Sequence, residues 1–146
     1  MSVPHENIVI TIIPDDYHIQ FAGTSSDGKQ VFATTELKYD ANARKTTDFV
    51  VMYSWDSDGN FIDGQVTTLG IRGEYDNAIA AEIQRNLEQS VAGFTPETIR
   101  VKPCRFRHDN IDFGFIPRTD NDFTVVEMMP GNCICFLEPF DGKYDT

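Results

Sequence analysis

From Asp48 to Trp55 the chain reads Asp-Phe-Val-Val-Met-Tyr-Ser-Trp. In an extended strand Phe49, Val51, Tyr53 and Trp55 fall on one side, and Val50, Met52 and Ser54 on the other. Both sides are largely apolar, which predicts a strand central in its sheet. It leads through Asp56-Ser57-Asp58-Gly59-Asn60 into a return strand over Phe61 to Leu69, the pattern of a hairpin. An earlier hairpin runs from Tyr17 to Gly23, turns at Thr24-Ser25-Ser26-Asp27-Gly28, and returns over Gln30 to Leu37. Asp-Gly suits both turns because Asp tolerates a positive φ and Gly prefers one. A further Asp-Gly, Asp63-Gly64, lies inside the return strand and is read as a bulge.

The period then changes. Ile79, Ile83, Leu87 and Val91 recur four apart with Ala80 alongside, Glu82, Arg85, Glu88 and Gln89 fill the opposite side, Asp76 offers an N-cap and Gly93 a stop. This is one amphipathic helix with a side meant for a sheet. Strand-like runs follow at Thr98–Phe106, Ile111–Ile116, Phe123–Met128 and Cys133–Leu137, with a turn at Pro130-Gly131-Asn132 between the last two. Strands, one helix, then strands, without alternating βα units, predicts an α+β fold: a mostly antiparallel sheet with one main helix packed on it. No repeat or linker divides residues 1–146, so a single domain is expected.

Charge changes the picture most. Twelve Lys and Arg stand against twenty-three Asp and Glu, a formal net charge of −11 on 146 residues. That balance disfavours nucleic acid and anionic membranes and favours a basic protein partner, steered over long range. Eleven Phe and five Tyr exclude a disordered acidic chain. The first residues lack a basic region followed by an apolar run, and no apolar stretch is long enough to span a bilayer, so a cytoplasmic protein is expected.

Motifs that could carry chemistry are weak. Asp56-Ser57-Asp58-Gly59-Asn60 fails as a calcium loop, because position 6 is Phe61 and position 12 is Thr67. Cys133-Ile134-Cys135 puts two thiols on one side of a strand, but no second ligand pair stands near it, so core cysteines are expected, with no metal and no cofactor. His18 is placed on a strand and His108 at a strand end, both structural. Arg100, Lys102, Arg105, Arg107 and Arg118 are read as salt-bridging to the acidic surface. Glu127, Glu138, Asp141 and Asp145 could hold an acid/base pair, but the pattern fits an anionic patch better. The tail Glu138-Pro139-Phe140-Asp141-Gly142-Lys143-Tyr144-Asp145-Thr146 carries two aromatics that tuck back or anchor a partner.

The stretches Phe49 to Asn60, Asp27 to Phe32 and Pro139 to Thr146 resemble a group of small bacterial proteins labelled formate hydrogenlyase regulatory protein, and also immunity proteins encoded beside secreted toxins. The resemblance covers about a third of the chain, all of it turn chemistry, and implies no catalytic residue. Resemblance and charge together give the expectation of a non-enzymatic immunity or inhibitor protein that occludes a basic toxin domain. Asp56, Asp58, Glu138, Asp141 and Asp145 would pair with the partner, and exposed Trp55, Phe140 and Tyr144 would anchor it. A regulatory or adaptor module without a toxin partner, or a small carboxylate- or Cys/His-dependent enzyme, are the alternatives.

Overall fold

The computed structural model describes residues 4–146. Among them the helix-on-sheet expectation is overturned: the chain builds twelve strands in three antiparallel sheets, with one short α-helix. A five-stranded sheet holds β2 (Phe21–Thr24), β3 (Gln30–Asp40), β4 (Lys45–Trp55), β5 (Phe61–Ile71) and β6 (Thr95–Pro96), in the order β5-β4-β3-β2-β6. A second holds β8 (Cys104–His108), β9 (Ile111–Asp120), β10 (Phe123–Met129), β11 (Cys135–Leu137) and β12 (Tyr144–Asp145), in chain order. β1 (Ile10–Ile12) and β7 (Ile99–Val101) form a ribbon of their own.

β4 is paired on both sides, as its pattern predicts, and its register with β3 puts Phe32 opposite Tyr53 and Glu36 opposite Phe49. This inner side meets the second sheet, not a helix. Phe115 packs against Phe32, Tyr53 and Trp55, with ring centroids 5.9, 4.9 and 5.3 Å away, and Phe113 meets Phe49 at 5.3 Å. The inner residues Ile10, Ile12, Ile99 and Val101 of the ribbon join the same core. Aromatic pairs at these separations add to the area they bury, and this layer holds the larger of the two buried apolar clusters.

The helix α1 (Asn77–Gln89) forms as its pattern asks, with the Asp76 carboxylate accepting the Ala78 N–H at 2.8 Å. Its reach is smaller than expected. None of its residues is buried, Ile79 is exposed, and only Leu87, with Val91 just beyond the helix, packs on Val31, Ala33 and Met52 of the outer side.

Three boundaries differ for local reasons. The segment Tyr17–Gln20 is not strand, because the Asp15 carboxylate accepts the N–H groups of Tyr17 and Ile19 and bends the chain; His18 therefore sits in a bend. The run Thr98–Phe106 splits into β7 and β8 at Lys102-Pro103, and the halves join different sheets. The expected bulge in β5 falls at Ile62, between the pairs Trp55–Phe61 and Ser54–Asp63, one residue before the Asp-Gly, and a second register shift falls at Leu69. Gly64 serves another purpose, since a Cβ there would stand 2.3 Å from the Phe106 ring. The tight turns Asp109-Asn110 and Asn121-Asp122 have left-handed φ at both residues, the geometry that matches strand twist.

Candidate functional site

The expected partner-binding residues divide by burial. Trp55 is completely buried, its Nε1 donating to the Lys102 carbonyl at 3.1 Å, and Phe140 is buried too, with a left-handed φ of 64°. Neither is an exposed anchor: Trp55 ends the inner row of β4, and Phe140 closes the core beneath β1. Tyr144 is half-buried. Burial and its hydrogen bond to the Asp15 carboxylate push the phenol up to about 12. Asp58, Asp141 and Asp145 are exposed, while Asp56 and Glu138 are half-buried. Asp56 also organises its own turn, accepting the Asp58 and Asn60 N–H groups at 3.0 and 2.8 Å. Those bonds, Asn60's first, hold its carboxyl below the usual range.

The fold brings the two acidic segments to one face. The Lys102 N–H donates to the Gly59 carbonyl at 2.9 Å, β7 pairs with β1, and the Thr11 N–H donates to the Phe140 carbonyl at 3.0 Å. The Asp56–Asn60 turn and the C-terminal segment thus flank the ribbon on opposite sides, three strand spacings or roughly 15 Å apart. Between them the outer side of the ribbon shows Val9 and Ile13, each 45% exposed, and Thr11 beside exposed Arg100. Asp15, Asp16 and Tyr17 continue the face, Tyr17 being 74% exposed. Tyr17 was hidden to sequence reading by its assignment to a strand.

Of the basic residues expected to salt-bridge, Arg107 and Arg118 do so among the described residues, and Lys102 meets a neutral amide. Arg107 bonds Asp112 at 2.9 Å, Arg118 meets Glu127 and Asp120, and Lys102 bonds Asn60 at 2.7 Å. The cysteine pair is not on one strand side: Cys133 lies in the turn before β11, and only Cys135 is in the strand. All three thiols are free, and burial pushes Cys104 up to about 12 and Cys133 up to about 11, so none is a ready nucleophile.

A cleft of about 820 Å³ opens elsewhere, around the edge of β3. β2 pairs with β3 only as far as Ala33, opposite Phe21, and then bends away. Thr34 to Leu37 form one wall, Tyr17, His18, Gln20 and Phe21 a second, Met128, Cys133 and Ile134 a third, and Arg72, Tyr75 and Gln84 the outer rim. Asp48 is held there by Arg72 at 2.7 and 3.1 Å and by the Tyr75 hydroxyl at 2.6 Å. Burial works against its charge, yet these bonds and the guanidinium keep its carboxyl below the usual range.

Sequence reading passed over Glu36, which is only 2% exposed. Its Oε1 accepts the Gly131 N–H at 3.0 Å and the Leu37 N–H at 3.2 Å. Oε2 is buried with no hydrogen-bond partner among the described residues, the Cys133 thiol acting on the carboxyl only as a weak donor. Burial raises Glu36 to about 7 against the pull of those donors. Parity could have revealed it, since Glu36 shares the inner side with Phe32.

Comparison with protein-family models, curated proteins and solved structures finds no match to this chain. Among the described residues, no helix is long and apolar enough to cross a membrane, and no three His, Cys, Asp or Glu side chains gather as metal ligands.

Proposed function

We propose that this is a non-enzymatic binding protein whose ribbon face engages a basic protein partner. The observation that carries the reading is the flanking of one exposed apolar stripe by two acidic segments distant in sequence. Asp58, Glu138, Asp141 and Asp145 steer and pair with Lys or Arg, Val9 and Ile13 supply apolar contact, and Tyr17 takes the anchoring part expected of Trp55. The resemblance to toxin-neighbouring immunity proteins points the same way, with a basic toxin domain as the partner and occlusion as the mechanism.

The test is capture of a stoichiometric partner at low salt, followed by association kinetics with Glu138→Lys, Asp141→Lys and Asp145→Lys combined. The expected result is a fall in association rate of about tenfold or more, with a weaker salt dependence than wild type. A captured partner that associates equally fast with the reversed protein overturns the assignment of this face. No basic partner captured at low salt overturns the reading itself.

A further inference from the structure

The cleft around β3 is a second place where the chemistry is incomplete, and it shares only Tyr17 with the ribbon face and none of its acidic residues. Its lining carries both donors and acceptors, and among the acceptors the Glu36 carboxyl is incompletely satisfied. Glu36 presents a carboxyl with one oxygen cradled by two backbone donors and the other, beside the weakly donating Cys133 thiol, with no hydrogen-bond partner among the described residues. The edge of β3 adds acceptor capacity. Leu37 turns its N–H away from β4 to reach Glu36, and Thr35, two residues earlier in the alternation, turns the same way into the cleft wall. No strand covers Thr35 on that side among the described residues, and its carbonyl meets only the Thr34 hydroxyl, at 3.5 Å.

The positive charge in the cleft is already engaged. Arg72 forks onto Asp48, and Tyr75 donates to the same carboxylate. With that pair neutral, ionised Glu36 leaves the cleft one negative charge in excess. Aromatic surface lies alongside in Tyr17, Phe21 and Tyr75, suited to the methylenes or face of a bound cation. The volume falls within the roughly 300–1,000 Å³ of clefts that hold small ligands.

We infer that this cleft binds a primary ammonium or guanidinium group, with the Glu36 carboxylate as counter-ion and the Thr35 carbonyl as a further acceptor. The group enters beside Cys133 and gives Oε2 the donor it lacks. Gly131 is part of the design: its N–H holds Oε1, and a Cβ there would meet that oxygen at 2.4 Å. A small amine and a Lys or Arg side chain of a partner share this chemistry.

Binding is then linked to protons. Glu36 is raised to about 7 by burial, so near neutrality part of the population must release a proton before the cation binds. The other ionisable groups around it are Cys133 on the turn, Tyr53 on β4, the Asp48–Arg72–Tyr75 group, and Tyr17 and His18 on the facing wall. Burial pushes Cys133 up to about 11 and Tyr53 well above 10, and Asp48 is held low by Arg72 and Tyr75. His18 is controlled for by substitution.

The experiment is titration calorimetry with n-butylamine and agmatine, and with n-butanol as the uncharged probe, at pH 6 and pH 8 in buffers of different ionisation enthalpy. Wild type and His18→Gln are expected to bind the cations, not butanol, about tenfold tighter at pH 8, with proton release at pH 6. Glu36→Gln, which keeps the shape and removes a buried charge, is expected to lose at least tenfold at pH 8 and to release no proton. A blocked peptide with one central Arg, compared with agmatine, separates the sources: tighter peptide binding points to a partner side chain, tighter agmatine binding to a small molecule, and either supports the site. Equal binding by Glu36→Gln, or no binding of either cation by wild type, overturns it. Asp141→Lys with Asp145→Lys is expected to leave probe affinity within a factor of about two, so loss of the ribbon face and loss of the cleft read out separately.

Discussion

On the inner side of β3 and β4, Phe32, Phe49, Val51, Tyr53 and Trp55 are shut against a second sheet, each at 3% exposure or less. On the outer side the same two strands offer Val31, Ala33 and Met52 to Leu87 and Val91, neither of which is itself buried. The inner rows interlock with rings from three other strands, β5, β8 and β9; the outer rows are brushed by one turn of helix and then give way to the cleft. Both sides look alike as apolar patterns, so apolarity states that a side is covered and not by what. The difference also places the candidate ligand site. Glu36 continues the inner row to the rim, where the second sheet gives way to the turn at Gly131.

The sharpest way to break this contrast is Phe115→Ala, which removes a ring meeting Phe32, Tyr53, Trp55 and Phe136. It should cost about 3–5 kcal/mol in urea unfolding. A loss no larger than that of Leu87→Ala would mean the two sides are equally important.

Next comes pH. Glu36 binds protons more tightly folded than unfolded, since its carboxyl is raised from an ordinary 4.5 to about 7. Its contribution is therefore largest below the unfolded value and is lost as pH rises from about 4.5 through 7. The loss is on the order of 3 kcal/mol between pH 4.5 and 8, and Glu36→Gln should flatten that part of the profile. A wild-type profile no steeper than the variant's would show the carboxyl to be well solvated.

Smaller effects sharpen the rim. Arg72→Ala strands the buried Asp48 carboxylate and should cost about 2 kcal/mol; Asp48→Asn leaves only an exposed guanidinium unpaired and should cost about half as much. The reverse order would mean that the guanidinium is not what compensates Asp48. Leu87→Ala should cost about 1 kcal/mol, a half-buried fraction of a full core truncation. Smallest is Tyr53→Phe, which deletes a buried hydroxyl with no hydrogen-bond partner among the described residues; it should be neutral or gain about 1 kcal/mol.

Local elements were legible because their causes are local. The Asp27-Gly28 and Asp58-Gly59 turns, the alternation of β4 and the Asp76 cap can each be read in a few adjacent residues. The layer architecture was not, because nothing in Ile111–Ile116 or Phe123–Met128 states whether they extend the first sheet or oppose it. The proposed partner surface was half legible. Exposed acids are set by composition and turn chemistry, but the burial of Trp55 and Phe140 depends on β7, β1 and the second sheet closing over them. Glu36 escaped because Thr34-Thr35-Glu36-Leu37-Lys38 reads as a polar strand end; parity puts it on the inner side with Phe32, but its burial depends on long-range packing of the Gly131 turn.

The ribbon sets a timetable for synthesis. β1 is made before every other strand of the fold described here, yet Ile12 pairs with Ile99 and Thr11 bonds to the Phe140 carbonyl, both far later in sequence. Its Ile-rich inner row must wait while the β2–β3–β4–β5 hairpins assemble from neighbours in sequence. Until β7 emerges, a nascent chain carries Ile8, Ile10 and Ile12 uncovered, and those few residues are where a chaperone or a misfolded neighbour would first take hold.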